Sequence, residues 1–255
     1  MRNSKALARL RGGETVRTCS LGHVLPYFVC HAARSGFDCI WLDMEHRAWD
    51  RREIQALLTH FRLYDIDCML RVSTRERAEL YRFLEDGATG LMMPHISTPE
   101  QAEAIVAAAK FPPLGDRGID NTGLDSNFYV CPNNDEYTAW ANRETFVVIQ
   151  IETPLALENV DAIAAVPGVD VLFLGPGDLG LRLRHAGDRD GSRLEAAYEQ
   201  VAAAARRHKK AWGCPVSGQE ELRRRQAQGA QLLPVGGEFG FILRGLNQAI
   251  QLYQT

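Results

Sequence analysis

Short apolar runs alternate along this chain with longer segments whose apolar residues recur every three to four positions, the pattern of parallel strands joined by helices. Eight runs read as strands, at 18–21, 39–42, 68–72, 90–93, 146–151, 171–174, 211–215 and 232–235. Helical spacing fills 51–61, 75–84, 99–110, 155–165, 192–208, 219–227 and 242–253, and the stretch before Thr18 reads as a helix closing the bottom of a barrel. Eight such units predict an α/β fold of the (β/α)8 TIM-barrel type, a single domain over residues 1–255. No GxGxxG follows the first strand, so a dinucleotide-binding open sheet has no support. One irregular segment, about 111–136, is long enough to be a lid or a subunit contact.

Composition narrows the classes of function. With 255 residues, 45% of them hydrophobic and 24% charged, the chain can bury one sizeable core and is too apolar for general disorder. A formal net charge of -3 argues for neither a nucleic-acid partner nor an acidic membrane surface. The basic run Arg223-Arg224-Arg225 follows Glu220 and Glu221 at helical spacing and reads as a solvated helix face. Six cysteines, at 19, 30, 39, 68, 131 and 214, make no CxxC pair and read as buried reduced thiols. The start, Met1-Arg2-Asn3-Ser4-Lys5, has no apolar signal core, and no run approaches ~18 apolar residues, so a cytoplasmic location is expected.

A barrel gathers its chemistry at the C-terminal ends of its strands, and there this sequence is repeatedly polar. The second strand runs into Asp43-Met44-Glu45-His46, the third ends in Arg71, the fourth runs into Pro94-His95, the fifth into Gln150-Ile151-Glu152 and the sixth into Gly175-Pro176-Gly177-Asp178. Glu152 and Asp178 are oxygen donors suited to a divalent cation, Mg²⁺, Mn²⁺ or Co²⁺. The Gly175-Pro176-Gly177 turn lets backbone N–H groups approach a substrate carboxylate. Arg71 offers a planar cation to a carboxylate, carbonyl or developing enolate. Asp43 stands three residues before His46, near enough in a turn to orient its imidazole, and Gln150 shares a strand face with Glu152. Taken singly each has an ordinary alternative: Asp178 as a helix cap, His46 as a structural hydrogen-bonder, Arg71 as an ion-pair partner. Their convergence on one barrel face points to a site.

At these residues the chain resembles the metal-dependent class II aldolases of 4-hydroxy-2-oxo acids and 2-keto-3-deoxy sugar acids, grouped as HpcH/HpaI aldolases in the citrate lyase β-like superfamily. Its marks are Gly36-Phe37-Asp38 before Asp43-Met44-Glu45-His46, Phe111-Pro112-Pro113 with Arg117-Gly118, Gln150-Ile151-Glu152-Thr153, and the run from Gly168 to Leu179. The resemblance implies a phosphoenolpyruvate/pyruvate-type barrel whose last helix is exchanged with a neighbour, in dimers that build a hexamer as a trimer of dimers. It implies Glu152 and Asp178 as metal ligands, Arg71 as enolate stabiliser, and His46 with Asp43 in proton transfer. Where Glu85 stands, relatives more often have an Asp that approaches the adjacent subunit's site, which makes Glu85 a substrate-binding candidate. Met44, Gly180 and Glu238 also depart from the family pattern.

The expected reaction is lyase chemistry through a pyruvate enolate, with a 2-oxo acid and an aldehyde as small-molecule partners. No Schiff-base lysine is needed, since Lys110, Lys209 and Lys210 fall on or beside helices away from the mouth. A condensing enzyme of citrate-synthase type, or a barrel that binds a metabolite without turnover, are the alternatives.

Overall fold

The alternating pattern closes on itself. The computed structural model describes residues 1–130 and 132–253; Cys131, counted above among the buried thiols, lies outside them. Eight parallel strands form a closed barrel in sequence order: β1 (Val16–Leu21), β2 (Cys39–Asp43), β3 (Asp67–Arg71), β4 (Gly90–Met93), β5 (Phe146–Ile151), β6 (Val171–Leu174), β7 (Ala211–Gly213) and β8 (Leu232–Gly237). Before them lies α1 (Lys5–Arg11); between them come α2 (Pro26–Arg34), α3 (Arg51–Leu63), α4 (Arg77–Glu85), α5 (Pro99–Ala109), α6 (Asn134–Glu144), α7 (Pro154–Glu158), α8 (Val160–Ala165), α9 (Pro176–His185), α10 (Ser192–Arg207) and α11 (Gln219–Ala227), and α12 (Glu238–Ile250) follows the last strand. Among the described residues no helix is long and apolar enough to cross a membrane.

Period-two alternation sorts the strand residues into two layers. Outward residues such as Ile40, Leu42, Leu70, Leu91, Ile149 and Leu172 pack with the helices in the larger core. Inward residues, Cys39, Met69, Met92, Phe146, Val148, Val171 and Phe173, fill the barrel, and Ala6 and Leu7 of α1 plug its lower end as the sequence predicts. Asp67 holds that plug, accepting from the Ala6 N–H (2.7 Å) and the Ser4 hydroxyl (2.6 Å). The same inward rows turn polar at the top: 39-41-43, 67-69-71 and 146-148-150 end in Asp43, Arg71 and Gln150.

Several segments differ from the sequence reading: α2 and α9 were not among the helices read, and α12 begins at Glu238, ahead of the expected 242. The predicted helix 155–165 is two helices that meet at Asn159, whose side-chain amide donates to the Ser97 carbonyl (2.8 Å). The irregular segment ends earlier than expected, because Asn133 caps α6 with bonds from the Asp135 and Glu136 N–H groups. That segment lies along the outside of α4: Asp116 pairs with Arg77 at the start of the helix, and the Asp125 N–H donates to the Glu85 carbonyl at its end. It covers the barrel wall and not this chain's own mouth.

Candidate active site

Asp43 and Arg71 are direct neighbours in the register of β2 and β3. Arg71 donates from Nε and Nη2 to the two oxygens of Asp43, at 2.9 and 2.7 Å, and lies over the Trp41 ring, 4.7 Å from its centroid. This fork and platform fix the guanidinium plane at the floor of the mouth. Burial raises the Asp43 carboxyl, but the hydrogen bonds and charge of Arg71 outweigh it and hold the group below the usual carboxylate range.

Asp43 acts on His46 through the backbone and not through its ring: Oδ1 accepts from the N–H groups of Glu45 (3.0 Å) and His46 (3.4 Å). The turn so formed directs Glu45 inward and leaves the His46 side chain half exposed at the rim, its Nε2 3.7 Å from Glu45 Oε2. Glu45 Oε2 also lies 2.9 Å from Arg71 Nη1, yet accepts no hydrogen bond, so Nη1 is an ion-pair partner with N–H groups left for another acceptor.

Glu152 is fully buried just beyond β5. It accepts from the Gln150 amide and from the His95 backbone N–H (2.6 Å), and the His95 ring Nδ1 stands 2.9 Å away. The other ring nitrogen, Nε2, is 2.8 Å from Glu45 Oε1. Burial pushes the Glu152 carboxyl up; His95 opposes this, while Glu45 and Asp178 add to it.

Gly175 follows β6 beside this acid: a Cβ there would come within 2.9 Å of Gln150 Nε2 and 3.0 Å of Glu152 Cβ, so a larger residue would push on both side chains. It begins α9 without a side-chain cap, and around Gly177 nothing lies within 4 Å of where a Cβ would be. Pro176 at the first helical position gives up an N–H that the helix does not need. No side-chain cap occupies the N–H groups of this first turn, which leaves them to an anion. Asp178 lies within that turn, half exposed, and does not cap the helix; it pairs with Arg182 (3.2 Å), which also donates to the Glu152 carbonyl (3.1 Å).

Glu85, expected to serve an adjacent subunit's site, is not part of this cluster. Glu85 is the last residue of α4, on the outer wall, where burial against the attraction of Arg117 raises its carboxyl to about 7. Two residues without an assigned role in the sequence stand in the centre, Glu45 and His95. Both follow strand ends, which was the available signal; which of Glu45 and His46 faces inward, and the left-handed backbone at His95 (φ 57°), were not readable.

The donor set suits a divalent cation. Glu45, His95 and Glu152 each bring an oxygen or nitrogen within 4.8 Å of the others, and beside them Gln150 Oε1 and Glu45 Oε2 are buried without a hydrogen bond.

Comparison with known proteins agrees with this architecture. The pattern of the HpcH/HpaI aldolase/citrate lyase family matches residues 22–243. A hydroxypyruvate/pyruvate aldolase of Pseudomonas aeruginosa is 33% identical over 241 residues, covering 94% of this chain and 89% of its own. A 5-keto-4-deoxy-D-glucarate aldolase of Klebsiella pneumoniae is 32% identical over 216 residues, 85% of this chain and 83% of its own. The crystal structure of an HpcH/HpaI aldolase from Desulfitobacterium hafniense superposes with a TM-score of 0.89 at 29% identity, over 97% of this chain and 95% of that one.

Proposed function

The chain belongs to the HpcH/HpaI aldolase/citrate lyase family, and from that premise we propose that it is a divalent-metal-dependent aldolase that makes or cleaves the carbon–carbon bond of 4-hydroxy-2-oxo acids through a pyruvate enolate. The observation that supports this most directly is the buried Glu152, flanked by other metal-type donors and facing a guanidinium held by two carboxylates.

Glu152 and Asp178 hold the ion in this reading, with Mg²⁺, Mn²⁺ and Co²⁺ as candidates. When bound, it supplies Lewis acidity toward the carboxylate and keto oxygens of a 2-oxo acid. The N–H groups of the Gly175–Gly177 turn receive the substrate carboxylate. Gln150 keeps Glu152 oriented. Arg71 presents Nη1 to the oxygen on which enolate charge grows; Asp43, Glu45 and Trp41 keep it from swinging away, so no reorganisation is needed as that charge forms. In cleavage His46 accepts the 4-hydroxyl proton at the rim, where the aldehyde departs.

Assembly with further copies of this chain is part of the reading. Ile242, Leu243, Leu246 and Ile250 of α12 are all at least half exposed, an apolar face left largely uncovered within one chain. Between α2 and α11, over β1 and β8, a groove of about 410 Å³ lined by Phe37, Leu222, Leu233 and Val235 is where a last barrel helix would rest. A second copy's α12 suits that groove, and Glu85 on the outer wall then serves a neighbouring copy's mouth.

The test is exchange of pyruvate's methyl protons with deuterium, followed by NMR with and without added Mn²⁺ or Mg²⁺. Metal-dependent exchange that drops more than about a hundred-fold in Glu152→Ala is expected; undiminished exchange in that variant would refute the assignment.

A further inference from the structure

His95 occupies an unusual position for a residue at the edge of a loop. It follows β4 with a positive φ of 57°, a conformation that is unfavourable for a non-glycine residue and persists where the surroundings enforce it. The consequence is that one residue turns both its backbone N–H and its ring toward Glu152: the N–H is 2.6 Å from Oε1, and Nδ1 is 2.9 Å from the same oxygen. The far side of the ring is equally constrained, with Nε2 2.8 Å from Glu45 Oε1. Glu45 in turn sets its other oxygen 2.9 Å from Arg71.

An imidazole that only bridged two strand ends would satisfy these contacts as a hydrogen-bonder. The surroundings favour more. Nδ1 shares its space with a fully buried carboxylate, and a histidine that ligates through one nitrogen characteristically donates its other N–H to a carboxylate, which fixes the tautomer and the ring plane. Glu45 stands where that second carboxylate belongs.

We propose that His95 is a metal ligand through Nδ1, beside Glu152, with Glu45 as the positioning residue that receives Nε2–H and couples the ligand to Arg71. The inference rests on the metal-dependent reading above. Its consequence is a mixed nitrogen and oxygen centre, and an imidazole donor shifts preference from Mg²⁺, which favours oxygen ligands, toward Mn²⁺, Co²⁺ and Zn²⁺.

Pulsed electron paramagnetic resonance of the Mn²⁺-loaded chain tests this without reference to turnover. A ¹⁴N coupling from one directly bound imidazole is expected in the wild type, lost in His95→Asn and retained in His46→Asn. Asparagine tolerates the left-handed backbone, so the variant keeps the turn. By titration calorimetry, the ratio of Mn²⁺ to Mg²⁺ affinity should fall about tenfold or more in His95→Asn. Bound Mn²⁺ with no histidine coupling, or a coupling that survives in His95→Asn, overturns the assignment of His95 and leaves the aldolase reading standing. A wild-type chain that binds no divalent ion overturns both.

Discussion

Asp38 shows how a motif residue can serve the fold. Its side chain is 5% exposed and accepts from the Arg17 N–H (3.0 Å), from Arg17 Nε (2.9 Å) and Nη2 (2.6 Å), and meets Arg9 Nε of α1 at 2.7 Å. Burial raises its carboxyl, but Arg17 and Arg9 more than cancel that and hold it below the usual carboxylate range. A depressed carboxylate contributes stability that is complete above its unfolded pKa and is lost as pH falls through the folded one. Asp38→Asn should therefore cost about 1–3 kcal/mol in urea unfolding at pH 7, with the gap to the wild type closing at an acid pH beneath the usual carboxylate range. A gap of equal size at both pH values would show that the charge is not what matters. Asp38 was legible as part of a family motif, whereas its two arginine partners, at 9 and 17, were not, because nothing in the sequence brings α1 against the start of β2.

Among the elements, β7 is where the barrel is held most narrowly. It is three residues long, its register with β8 pairs Gly213 with Leu232, and backbone bonds from Gln231 to Trp212 (2.8 Å) and from Cys214 to Leu232 (3.1 Å) flank that pair. A Cβ on Gly213 would lie 2.0 Å from the Leu232 carbonyl oxygen, a backbone atom that cannot step aside without parting the strands. Gly213→Ala should lose about 1–3 kcal/mol of stability. Gly218→Ala, where nothing lies within 4 Å of the added atom and φ is extended, is the control and should shift the urea midpoint little. Equal midpoints for the two variants would mean that the seam yields. The strand expected to reach 215 ends at Gly213, although the Cys214 and Val216 N–H groups still donate to the Leu232 and Pro234 carbonyls. Helix starts were more legible: Asp50 and Glu53 form a capping box at the head of α3, and Thr98 before Pro99 caps α5.

For the molecule as a whole, the proposed assembly turns on α12. Its apolar residues recur at helical spacing, which marks a buried face, yet of the whole helix only Glu238 is buried within one chain. Light scattering should give a mass that is a multiple of 28.4 kDa. The double variant Ile242→Glu, Leu246→Glu should reduce that mass while leaving the far-ultraviolet circular dichroism of the barrel intact. A wild-type chain that runs as a monomer, or a double variant with unchanged mass, would sink the exchange of α12.

By itself the sequence determined the periodic architecture and the polar row at the strand tops, because both follow from local rules: side chains alternate along a strand, and in a βα barrel each strand ends at the same rim. Asp43, Arg71, Gln150 and Glu152 could be set together on that ground alone. Only the tertiary structure decided which residues close around Glu152. The left-handed turn at His95, the choice of Glu45 over His46 to face inward, and the burial of Glu85 on the outer wall depend on contacts between strands and helices far apart in sequence. No spacing along the chain encodes those contacts.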